Sequence, residues 1–257
     1  MDCVCIPEER LMHRFYPDPG SEQNGFACLT PEDARHAIKV LRLREGDHVE
    51  IVLNELPWIA EIASVQGDRV VLRKLEPLPS TEPALRVTLF QGIPKADKMD
   101  WIVQKATELG VSEIVPLTLS RCVTRLDASD RIRKTDRWKK ISREAGKQSG
   151  RCVIPQVHEP VSISGLTSSV MMPAISIVPW EGEKEYGPCS FHLEHPNLTS
   201  LGILIGPEGG ISVEEINLLR DIGFLPVTLG KRILRTETAG LAALAAMMCL
   251  YGEMENA

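Results

Sequence analysis

Two short blocks near the C-terminus hold the residues whose types and spacing could do chemistry. Ile205-Gly206-Pro207-Glu208-Gly209-Gly210 closes one apolar stretch, and Leu229-Gly230-Lys231-Arg232-Ile233-Leu234-Arg235-Thr236-Glu237-Thr238-Ala239 closes another, with a helix pattern after each. A glycine-rich turn between strand and helix exposes backbone N–H and C=O groups with few side chains in the way, which suits a cofactor held by main chain. The first block lacks the Gly-Lys-Ser/Thr ending by which a P-loop holds phosphates and magnesium. Nor does it give the G-x-G-x-x-G dinucleotide fingerprint. Pro207 presets φ inside the loop, and Glu208 would repel a pyrophosphate. What remains is a ligand with little negative charge that carries a purine, and S-adenosylmethionine, with its cationic sulfonium and amino group, fits. Taken alone, a Gly-Pro-Glu-Gly-Gly run also reads as a plain turn.

Such loops need strands that end beside one another. The pattern from residue 84 to 257 alternates strands (86–91, 113–119, 174–178, 202–205, 226–229) with helices (98–109, 137–149, 213–222, 236–251), which predicts a mainly parallel sheet covered on both faces. Ser212 with Glu215 three residues on is a capping box that starts the helix after the first loop. The run 241–250 is apolar on every side, so it is expected to be buried all round, in the core and in a subunit interface at once. Residues 1–76 read differently, as a small β-rich domain. Thr30-Pro31-Glu32-Asp33 starts a helix that ends by Gly46, and three short strands follow at 49–53, 58–65 and 69–75. Between the two patterns, residues 77–83 form a proline-rich, extended linker.

Composition narrows the function. No apolar run of membrane-spanning length occurs, and the first residues show no signal-peptide core, so a cytoplasmic protein is expected. The seven cysteines are scattered without a C-x-x-C, which predicts neither a disulfide framework nor a metal site. The net charge of −6 hides an asymmetry: residues 121–151 carry eleven basic and four acidic residues, +7, against −13 for the rest. That zone is either a solvated helix face or a focused surface for phosphates. No G-x-S-x-G elbow or H-E-x-x-H pair supports a hydrolase.

With both loops in view, the sequence resembles the SPOUT methyltransferases and, more narrowly, the RsmE family, which methylates N3 of a uridine in small-subunit ribosomal RNA. Arg14-Phe15-Tyr16, His36 through Leu43, Lys98-Met99-Asp100, Gln104 through Val111, Arg137-Trp138 and Gln148-Ser149-Gly150-Arg151 extend the resemblance over most of residues 14–251. It implies a PUA-like N-terminal domain, an α/β domain with a deep C-terminal trefoil knot, and a homodimer acting on an assembled 30S particle. It also implies S-adenosylmethionine held by Ile205, Gly206, Pro207, Gly209, Gly210, Leu229, Gly230, Ile233 and Leu234. Uracil N3 carries a proton at neutral pH, so the site must align N3 with the methyl carbon and favour the enolate-like base. Arg235 and Thr236 are the candidates for stabilising that charge. Glu237 is either a base or the ion-paired acid of a helix first turn. Arg14, His36, Arg42, Arg121, Arg125 and Arg151 are the expected RNA contacts, though Arg14 and Arg42 also read as surface residues and His36 as a helix-face residue. An RNA-binding adaptor with a degenerate methyltransferase domain is the rival, and the intact loops oppose it. The family has a glycine-containing acidic turn near residues 54–57, where this chain has Asn-Glu-Leu-Pro.

Overall fold

The computed structural model describes residues 12–18, 20–166 and 172–255; Cys3 and Cys5 lie outside them. It divides into two units, Met1–Thr81 and Glu82–Ala257.

In the first unit, β1 (Arg14–Phe15), β2 (Phe26–Cys28), β3 (His48–Leu53), β4 (Leu56–Gln66) and β5 (Arg69–Pro77) form a sheet in the order β1-β3-β4-β5-β2. The Thr30 hydroxyl caps α1 (Pro31–Arg35) by accepting from the Asp33 N–H, with Pro31 at the first helical position. The chain then widens into a π-helical turn, His36–Val40, and Arg42 takes φ +57, so the helix stops well short of Gly46. Ala34 and Ala37 are the small side chains that let this helix close over Phe15, Ile51 and Leu72. Asn54 and Glu55 make the β3–β4 turn at φ +51 and +63. That conformation suits the twist of the two strands but costs a non-glycine residue such as Glu55 about 1–2 kcal/mol.

In the second unit, β6 (Arg86–Gly92), β7 (Glu113–Thr118), β8 (Gln156–Val157), β9 (Val161–Ser162), β10 (Ile175–Pro179), β11 (Ser200–Ile205) and β12 (Phe224–Val227) form a wholly parallel sheet. The order is β12-β10-β11-β6-β7-β8, with β9 also on β7. Its strands are apolar on both faces, and alternation sorts them. Val87, Leu89, Ile203 and Ile205 face one core cluster, while Phe90, Leu204, Val115 and Val178 face another.

The helices are α2 (Lys98–Glu108), α3 (Ala128–Gln148), α4 (Pro188–Glu194), α5 (Val213–Asp221) and α6 (Thr236–Leu250). The capping box at Ser212 and Glu215 is present. One expectation needs correction, and another is met within the single chain on one side only. Helix α3 starts nine residues before residue 137, capped by Asp127, because its first turns are polar and give no apolar period. Helix α6 is buried on one face only: Thr236, Gly240, Ala243, Leu244, Met247 and Met248 point into the core, while Thr238 and Cys249 are exposed and Ala242 and Ala245 half-buried. Among the described residues no helix is long and apolar enough to cross a membrane.

Candidate functional site

The chain passes from β6 to β7 on one side and later returns to β11 on the other, so the strand order reverses beside β6. In open α/β sheets, ligands bind at such a place, outside the carboxyl ends of the strands. Three loops gather there: residues 93–97 after β6, residues 206–212 after β11, and residues 228–235 between β12 and α6. They approach closely enough that a Cβ on Gly92 would stand 2.7 Å from the Pro207 backbone nitrogen.

Polar ties fasten the loops. The Thr236 hydroxyl donates to the Gly206 carbonyl at 2.6 Å and accepts from Gln91 Nε2 at 2.9 Å. Gln91 is wholly buried, and this bond joins β6 to the start of α6 and to the first loop. Nearer the surface, Lys98 Nζ lies 3.0 Å from Glu208 Oε1 and 3.2 Å from Glu237 Oε2. The Lys95 N–H donates to Glu208 as well, and Arg121 Nη1 donates to the Gly209 carbonyl at 3.0 Å. Hydrogen bonds to Glu208 and Glu237 raise the Lys98 ammonium above the usual lysine range. Burial pushes the Glu208 carboxyl up, but its own N–H, Lys98 and Lys95 outweigh that and hold it below the usual carboxylate range. The Lys98–Glu208 pair therefore stays charged through neutral pH. It opens as pH falls through the lowered Glu208 value, or as pH rises through the raised Lys98 value.

Between the ties the backbone is bare. Gly210 (φ +73) and Gly230 (φ +95) take conformations that disfavour a side chain; a Cβ on Gly230 would point into open space, and one on Gly210 would stand 3.8 Å from Arg121 Nη1. Glu208, expected to repel an anion, is turned instead toward Lys95 and Lys98. Of the other expected cofactor residues, Ile205 and Pro207 are buried, Gly206, Leu229 and Leu234 half-buried, and Gly209 exposed; Ile233 projects with 86% of its surface exposed. Sequence reasoning missed Gln91, Lys98 and a fourth segment. Strand β10 lies between β11 and β12, so Pro179-Trp180-Glu181 emerges between the two predicted loops, with the Trp180 N–H on the Val227 carbonyl at 3.0 Å. The signal available for it was a strand run ending in Pro-Trp-Glu-Gly.

The structure redistributes the other candidates. Arg235 is exposed at the N-cap of α6, which has no side-chain cap. The Thr236 hydroxyl is engaged on both sides, so it positions the loops. Glu237, in the first turn of α6, is ion-paired with Lys98. Arg121 braces the first loop. Arg125, His36 and Arg42 are exposed, whereas Arg14 is drawn to Glu50 at 2.8 Å, its register partner on β3. Arg151 is corrected outright: only 6% of its side chain is exposed. Its guanidinium holds Glu82 and the carbonyls of Thr107 and Val111, so no phosphate reaches it. The rest of the basic zone lies on α3, where Arg131, Arg133, Arg137, Lys139, Lys140 and Arg143 are exposed and Arg133 and Arg137 pair with acids.

Comparison with known proteins matches residues 80–248 to an RNA methyltransferase domain and residues 29–75 to an RNA methyltransferase PUA domain. Ribosomal RNA small subunit methyltransferase E of Bacillus subtilis is 35% identical over 246 residues, covering 92% of this chain and 96% of that protein. The protein of the same name from Aquifex aeolicus is 30% identical, with 92% and 99% covered. Among solved structures, a ribosomal RNA small subunit methyltransferase E from Neisseria gonorrhoeae bound to S-adenosyl methionine superposes with a TM-score of 0.77 at 32% identity, covering 93% of this chain and 98% of that one. A methyltransferase from Legionella pneumophila in complex with the same cofactor gives 0.77 and 32%, over 93% and 97%.

Proposed function

We propose, since this chain belongs to the RNA methyltransferase family and carries that family's PUA domain, that it methylates N3 of a uridine in small-subunit ribosomal RNA. It is an S-adenosylmethionine-dependent ribosomal RNA methyltransferase by its kinship to the small subunit methyltransferase E proteins and their cofactor-bound structures. The structural observation that supports the cofactor part of this reading is the Gln91–Thr236–Gly206 chain, which draws together two loops at the switch point of the sheet, while the substrate part rests on the kinship.

The residues present fit the cofactor. The backbone groups around Ile205, Gly206, Gly210, Leu229, Gly230 and Leu234 would hold it by main chain, with the left-handed Gly210 and Gly230 leaving room for close approach. When bound, the cofactor supplies a methyl carbon on a cationic sulfur. The chain must hold uracil so that N3, as it gives up its proton to solvent water, faces that carbon; alignment of this kind supplies up to about 7–11 kcal/mol. Arg235 and the uncapped N–H groups of α6 provide positive potential for the enolate-like charge on the base. His36 and Arg42 on the small unit, with Arg125 and the exposed lysines and arginines of α3, are the phosphate contacts of this reading.

The path of the last helix supports the trefoil knot. From the edge strand β12 the chain returns across β10 and β11 and lays α6 against the sheet centre, where a Cβ added to Gly240 would stand 3.3–3.6 Å from Gln91, Ile205 and Leu89. The outward face of α6 supports a homodimer. Thr238, Ala242, Ala245 and Cys249 form a stripe of small side chains that permits close approach of a second copy. Leu244, wholly buried, belongs to the core instead. Ala245→Glu is therefore expected to give a folded monomer in sedimentation at micromolar concentration, with cofactor binding lost. A wild-type monomer that stays active would contradict the dimer.

A cytoplasmic enzyme acting on the assembled 30S particle completes this reading. It is tested by transfer of labelled methyl groups to small subunits from cells lacking the enzyme. Strong incorporation is expected there and little into a short unstructured RNA; equal labelling of both would contradict it.

A further inference from the structure

Lys98 opens α2, yet its side chain reaches back to the carboxyl edge of the sheet and meets both loops. Glu208 belongs to the first loop, and Glu237 is the second residue of α6, directly after the second loop. The two carboxylates share one ammonium at 3.0 and 3.2 Å. The chain is shaped to deliver it. Between Lys95, whose N–H also holds Glu208, and Lys98, Ala96 takes φ +54, a left-handed conformation that alanine seldom adopts. Stability does not demand this arrangement. The lysine side chain is 37% exposed, and ion pairs at such exposure add little to folding. What the pairs fix is the distance between the loops.

We propose that Lys98 is a positioning residue for cofactor binding: through Glu208 and Glu237 it holds the two loops at the separation the cofactor spans. The proposal rests on the reading of these loops as the S-adenosylmethionine pocket. The buried Gln91–Thr236–Gly206 chain is a second, uncharged tie that remains when Lys98 is removed. Loss of the lysine therefore loosens the pocket without dismantling it.

The test compares wild type, Lys98→Met and Lys98→Arg in the full-length protein, by calorimetry with S-adenosylmethionine, thermal unfolding and steady-state methyl transfer. Lys98→Met is expected to weaken cofactor binding about tenfold and raise the cofactor KM to match, while kcat at saturating cofactor falls by less than about threefold. Lys98→Arg, which keeps the charge, should recover most of the affinity. Added salt should weaken the wild type toward the methionine variant and leave that variant nearly unchanged. Equal affinity in wild type and Lys98→Met overturns the proposal. So does a large fall in kcat at saturating cofactor, which would place Lys98 at the reacting atoms, or a fall in Tm large enough to account for the lost binding. A wild type that binds no S-adenosylmethionine overturns the pocket reading itself, and the proposal with it.

Discussion

Replacing Gly92 with alanine is expected to lower S-adenosylmethionine affinity by about a hundredfold or more, on the order of 2.7 kcal/mol, while the protein still folds. Gly92 ends β6 where the first loop crosses it. A Cβ there would stand 2.7 Å from Pro207 N, 2.8 Å from Pro207 Cδ and 2.9 Å from Leu119 Cδ1. A backbone atom and a proline ring cannot turn aside as a flexible side chain does. Nor can the loop retreat freely, because Gly206 is bonded to Thr236, Glu208 to Lys95 and Lys98, and Gly209 to Arg121. The clash, worth about 1–3 kcal/mol, must displace the loop proposed to hold the cofactor. Calorimetry with the purified variant checks this, and unchanged affinity would remove the residue 206–210 loop from the site.

The second large effect is on stability. Arg151 is buried and pairs with the half-buried Glu82, which also accepts from the N–H groups of Cys152 and Val153, while Arg151 also donates to the carbonyls of Thr107 and Val111. Removing one partner strands the other charge, at about 3–5 kcal/mol. Arg151→Met is thus expected to lower Tm by about 6–20 °C for a unit of this size, with RNA affinity of the folded protein little changed. Lysine at this position should rescue only in part, because it cannot fork across Glu82 and two carbonyls. A variant of unchanged Tm that binds RNA poorly would return Arg151 to the RNA surface.

Arg151 also illustrates what the sequence hides. It closes a basic zone and reads as part of it, yet its partner Glu82 lies 69 residues earlier, and no local pattern announces a pair made by the fold. The tie from Lys98 to the loops escaped notice for the same reason: its partners are 110 and 139 residues away. What was legible had a local cause. The capping box at Ser212, the Thr30-Pro31 helix start, the parallel sheet and the two loops each follow from residues within a few positions of one another. Strand order is not local, so the place of β10 between the loops, and with it Pro179-Trp180-Glu181, could not be read. The apolar run 241–250 gave the helix and its core face but not which side chains belong to that face, because alanine and cysteine satisfy a core and a close helix contact equally well. The first turns of α3 were missed because a polar helix lying on the surface leaves no apolar period to detect.

The central claim is methylation of uridine N3 in small-subunit ribosomal RNA, and nucleoside mass spectrometry tests it most directly. Small-subunit RNA is compared from the parent strain, from a strain deleted for this protein, and from the deletion strain carrying either the wild-type gene or the Gly92→Ala variant. The account predicts that one N3-methyluridine disappears on deletion, returns with the wild type and stays absent or strongly reduced with the variant. An unchanged N3-methyluridine content in the deletion strain, or loss of a methyl group at any other atom in its place, would contradict it.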